Sequence, residues 1–128
     1  MSKHVILDFA KITIQECFMI EEINKGVHLT PKHHKTLGKV CSKYFSSTPF
    51  IIISHRINSY SVDPIVHKKA SENKNLMGFA VVASAPVARA NAELEKLFLK
   101  KPFEIFETLN EAILWGEEII NTSSDTAT

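Results

Sequence analysis

Between Ser54 and Ser61 the chain gathers its densest set of polar side chains: His55, Arg56, Asn58, Ser59, Tyr60 and Ser61. An arginine in such a place offers a planar fork of donors to a carboxylate or phosphate. Ser59 and Ser61 are hydroxyls open to phosphorylation, which would add about −1.5 to −2 charge. Asp63-Pro64 then reads as an N-cap and first helical residue, so the loop leads into the partial positive charge of a helix start. These six residues form the candidate site for a ligand or partner, with Arg56 as its anion contact. Partner binding ranks above phosphorylation, because Asp63 would repel a phosphate on Ser61. The bland reading is a solvated turn in which Asn58 and the serines bond their own backbone and Arg56 pairs with a surface acid.

Little else in the chain suggests chemistry. There are six histidines, but His28, His33 and His34 straddle a helix start without a shared face, and no His-x3-His pair occurs. They read as surface histidines, and no metal or cofactor is expected. Cys41 lies on a helical stripe between Leu37 and Tyr44, and Cys17 lies in an apolar run, so both read as small core residues rather than nucleophiles. Two cysteines make no disulfide framework, and with no leader-like start they point to the cytoplasm. Paired carboxylates, an activated nucleophile and a glycine-rich phosphate loop are all missing, so the expectation is a non-catalytic protein.

The elements that must position the loop follow from periodicity. Phe50 to Ile53 is a solid apolar run, too short for a helix, and reads as a central strand buried on both faces. Upstream, His4–Phe9, Lys11–Gln15 and Cys17–Ile23 read as three strands so closely spaced that they must form an antiparallel meander. Thr30-Pro31 opens a helix with Leu37, Val40, Cys41, Tyr44 and Phe45 on one stripe. A short second helix from Pro64 uses Ile65, Val66 and Ala70. Gly78–Ser84 is another buried strand. A third helix from Pro86 places Val87, Ala90, Leu94, Leu97 and Phe98 on its inner face. After a strand at Phe103–Phe106, Thr108-Leu109-Asn110-Glu111 is a capping box opening a last helix with Leu109, Ala112, Ile113, Gly116, Ile119 and Ile120 inward.

The chain has 128 residues, 45% of them hydrophobic and 23% charged, with net charge +1, so a single globular domain is expected. The balanced charge gives no footprint for nucleic acid, and no apolar run is long enough for stable membrane insertion. Residues 1–120 form the domain, and Asn121–Thr128, small and polar, should be a disordered tail. Phe18, Met19 and Ile20 are consecutive and apolar, which suggests that one face meets a second copy in a homodimer.

Three pieces carry a resemblance: the strand and loop Phe50–Pro64, the strand Gly78–Ser84, and the ending Pro102–Trp115. With this element order, the chain resembles the SpoIIAA-like branch of the STAS domains, in particular the bacterial proteins grouped as STAS and CRAL-TRIO-like. The resemblance covers His4 to about Ile120. It implies an α/β fold: a mixed sheet with an N-terminal antiparallel meander, covered by about four helices. It also implies a small regulatory domain that binds a protein partner or, alternatively, carries or senses a small apolar or lipid-like ligand. Phosphorylated members carry a serine in an Asp-Ser-Ser/Thr-Gly-type turn, whereas this chain reads Asn58-Ser59-Tyr60-Ser61-Val62-Asp63-Pro64, without the glycine.

Overall fold

A computed structural model describes residues 2–126, with side chains to 122. The meander consists of β1 (Ser2–Ile6), β2 (Ala10–Gln15) and β3 (Phe18–Ile23), paired antiparallel. Glu16 and Cys17 make the tight turn between β2 and β3, with Glu16 at φ 53°. After β4 (His28–Leu29) and α1 (Pro31–Phe45), β5 (Phe50–His55) joins β3 in parallel. There follow β6 (Ser61–Val62), α2 (Ile65–Ala70), β7 (Leu76–Val82), α3 (Pro86–Glu95), β8 (Phe103–Phe106) and α4 (Leu109–Thr126). The main sheet has the order β1-β2-β3-β5-β7-β8, parallel from β3 onwards. It is a mixed sheet covered by four helices, as the sequence implied.

Alternation explains the two solid apolar runs. In β5, Phe50 and Ile52 face one layer while Ile51 and Ile53 face the other. The first layer holds α1, α2 and α3; the second is α4 alone. Phe18 and Ile20 likewise lie under α4 while Met19 points to the opposite core. The run that suggested a second copy is therefore buried within one chain. Gly116 lets α4 settle onto the sheet, since a Cβ there would sit 2.5 Å from Phe18 Cε1. The Thr108–Glu111 capping box forms, with Glu111 N–H donating to Thr108 Oγ1 at 3.2 Å and Thr108 N–H to Glu111 Oε1 at 3.1 Å.

Three expectations are corrected. First, α3 is turned over. Val87, Ala90 and Leu94 are exposed, as is Leu97 in the 3-10 turn (Lys96–Phe98) that follows, while Ala92 and Glu95 face inward and Leu99 is buried just past that turn. The helix was expected to bury its larger apolar side chains, but its small Ala88 and Ala92 let it lie close to the sheet and carry Glu95 to a buried cation. Second, β4 and β6 pair in a separate two-stranded parallel sheet that no periodicity announced. Third, α4 continues beyond Ile120 through Thr126, into the stretch expected to be disordered. No glycine or proline interrupts it after Gly116, and Thr122 Oγ1 donates back to Glu118 O at 2.8 Å. Residues 127 and 128 lie outside the described residues.

Candidate functional site

Ser54 is the last core-facing residue of β5, and from it a buried polar chain extends outward. Its Oγ lies 2.8 Å from Tyr60 Oη and accepts Arg56 Nε–H at 3.1 Å. The Arg56 guanidinium closes a two-pronged pair on Glu95, with Nη1–Oε2 and Nη2–Oε1 both 2.6 Å. Glu95 Oε1 also accepts from His67 Nε2 at 2.7 Å. The side chains of Arg56 and Glu95 are only 6% and 8% exposed. One helix of the first layer is thus clasped by charge to the end of the central strand β5.

The electrostatics follow from burial and contact. Burial alone would raise the Glu95 carboxyl, but its hydrogen bonds with Arg56 and His67 outweigh that and hold it down to about 2. Burial opposes charge on Arg56, yet the hydrogen bonds to Glu95 push its guanidinium above the usual value. Burial raises the Tyr60 phenol, with Arg56 partly offsetting it. Burial pushes the Cys41 thiol up to about 12, which makes it an inert core thiol.

A second carboxyl lies behind this clasp. Glu21, on β3, stands in register with Ser54 and is 5% exposed. Among the described residues no hydrogen bond or ion pair reaches its carboxyl. Burial pushes it up to about 7, with Arg56 pulling the other way. It lines a cavity of about 30 Å³ together with Met19, His34, Ser54, Tyr60 and His67. Such a space holds roughly one or two water molecules.

The candidate residues are distributed differently from the open loop expected. Arg56 is already engaged inside the fold rather than offered to an outside anion, because Glu95 supplies the matching carboxylate. Asn58 Nδ2 donates to Ile23 O at 3.1 Å, and Ser59 O accepts Gly26 N–H at 2.8 Å. Ser61 Oγ is 2.7 Å from His28 Nδ1, across the β4–β6 pair. His55 ends β5 half-buried, while Ser59 and Ser61 remain exposed. Tyr60 and Arg56 come together, with the ring centre 5.4 Å from the guanidinium carbon. The position carries less weight than expected for a further reason: in this sheet the strand order never reverses, so no crevice opens between diverging connections.

His67 corrects the reading of all six histidines as surface residues. It is buried between Glu95 and the stacked rings of Phe79 and Phe103, since α2 turns it inward beside Val66 and Ala70. Among the described residues no group of three or more His, Cys, Asp or Glu is placed to hold a metal ion. No described helix is long and apolar enough to cross a membrane. Glu21 was within reach of sequence reasoning, since alternation puts it on the face of Met19 and Ile23. Glu95 was not, because its partner lies 39 residues away.

Neither a protein-family model nor a curated protein matches the chain in sequence. Among solved structures it is similar to an uncharacterized protein of the DUF3478 family from Shewanella loihica PV-4, which has a SpoIIAA-like fold. The TM-score is 0.59 at 12% identity, covering 91% of this chain and 95% of that one. The fold is SpoIIAA-like. At this identity the likeness extends to the fold alone.

Proposed function

We propose that this SpoIIAA-like chain is a non-catalytic, cytoplasmic regulatory domain that holds a protein partner against the outer face of α3. The observation that carries the reading is the exposed stripe of Val87, Leu94 and Leu97, which are 73%, 64% and 79% exposed. Val87 and Leu94 lie two turns apart on α3 and Leu97 in the 3-10 turn that follows it, a spacing that suits an apolar stripe on a partner helix. Ile57, also exposed, comes from the loop that borders the groove beside Val87. The helix is clasped from below by Glu95, so the face is presented on a fixed support. The Ser59 and Ser61 hydroxyls stand at the rim and remain open to modification. A carrier of a lipid-like ligand is less well supported, because the cavity beneath α1 and α2 is only about 30 Å³.

A photo-crosslinking residue placed at Leu97 tests this reading in cells, with Leu114 on α4, also exposed, as the control. The expected result is one discrete heavier product from position 97, lost on Val87→Glu and weak or missing from position 114. A product of twice the chain mass would put a second copy on this face, giving the homodimer. Equal, diffuse labelling from both positions would remove α3 as the docking face.

A further inference from the structure

Glu21 is a buried carboxyl that no hydrogen bond or ion pair reaches among the described residues, with Arg56 the cation that acts on it. The charged and titratable groups facing it are His34 and Cys41 from α1, Arg56 beyond β5, Tyr60 in the loop, His67 from α2, and Glu95 across Arg56 from α3. Cys41 remains a thiol and Tyr60 a phenol. With both carboxylates ionised, the Arg56 guanidinium faces two negative charges. Glu21, the carboxyl that no hydrogen bond reaches among the described residues, is the one a proton can neutralise without breaking the clasp on Glu95.

We infer that Glu21 is a proton-operated release for α3. With its carboxyl protonated, Arg56 belongs to Glu95 alone and the helix is held down; with it ionised, Arg56 is shared and the clasp weakens. The geometry carries this. Glu21 and Arg56 line the same small cavity, and Glu95 is the buried charged residue that α3 sends inward. Burying an unpaired carboxylate is costly, so ionisation either draws Arg56 across or admits water. Both lower the hold on Glu95. The release rests on the reading of α3 as the docking face and gives that face a control: the stripe is rigidly presented in mildly acidic solution and loosened above neutrality.

Hydrogen exchange on the whole, partner-free chain tests it, at pH 6 and pH 8 after correction for intrinsic chemistry. Protection of the α3 amides should fall about tenfold, the effect of one pKa unit of linkage, while α4 on the opposite face is unchanged. Glu21→Gln, which mimics the protonated form, should abolish the fall. Equal behaviour of α3 and α4, or an undiminished fall in Glu21→Gln, would overturn the inference. Should that variant not fold, carbon-13 titration of the Glu21 carboxyl in the unaltered chain decides. A midpoint near pH 7 accompanied by shifts in α3 supports the release; a midpoint below pH 5, or no response in α3, ends it. No partner enters these measurements, so they can fail while the crosslink at Leu97 succeeds, and the reverse.

Discussion

Glu95 serves two donors with one carboxylate, and that sharing makes it the most sensitive polar position described. Removing it leaves Arg56 and His67 buried without their acceptor; removing Arg56 leaves Glu95 with His67 as its one remaining partner among the described residues. Breaking a buried pair from one side costs about 3–5 kcal/mol. Glu95→Ala and Arg56→Ala are each expected to destabilise by that order in chemical denaturation, and the double variant by clearly less than their sum. Strict additivity would show that the two side chains do not depend on one another. Of this cluster, the sequence marks Arg56 and Tyr60, because they crowd a short polar loop. It conceals Glu95, which looks like any solvated acid on a helix until the helix is rotated by its alanines.

Helices α3 and α4 show two ways of attaching to a sheet. α4 uses shape: Gly116 and Ala112 bring its axis close above Phe18, Ile51 and Ala80. α3 uses a charge clasp and leaves its larger apolar residues outside. The spacing of Leu109, Ala112, Ile113 and Gly116 made the α4 face legible in advance. The apolar pattern of α3 was equally visible but misleading, since periodicity reports a stripe and not what it faces. Glycine substitutions test the α4 contact. Gly116→Ala should destabilise by about 1–3 kcal/mol despite a helix-propensity gain of about 1 kcal/mol, because overpacking against Phe18 outweighs it. Gly38→Ala, on α1 with nothing within 4 Å of the added carbon, should stabilise by about 0.5–1 kcal/mol. Urea midpoints of the two variants moving in the same direction would contradict this account.

At the scale of the whole molecule the two buried carboxyls bound stability from opposite sides. Glu95 is held down to about 2, so its contribution is complete above its ordinary value of 4.5 and is lost as pH falls towards 2. Glu21 is pushed up to about 7, so the folded chain favours its protonated form, and stability is lost as pH rises from 4.5 through 7. Each shift spans about 2.5 units, an upper figure of roughly 3 kcal/mol on either limb. The melting temperature should therefore peak near pH 5, and Glu21→Gln should flatten only the limb above it. A profile level from pH 5 to 8 would count against a buried, unpaired Glu21. The sheet order has a consequence for how the chain is made. Strands take their places in the order in which they leave the ribosome, from β1 at one edge to β8 at the other. Each new strand meets an edge already formed, and none has to be threaded between two others. The first helices must wait, because Phe45 of α1 stacks on Phe50 and His67 of α2 meets Phe79 and Phe103, all on strands made later, while α4, last of all, finds its bed of Phe18, Ile51 and Gly78 complete.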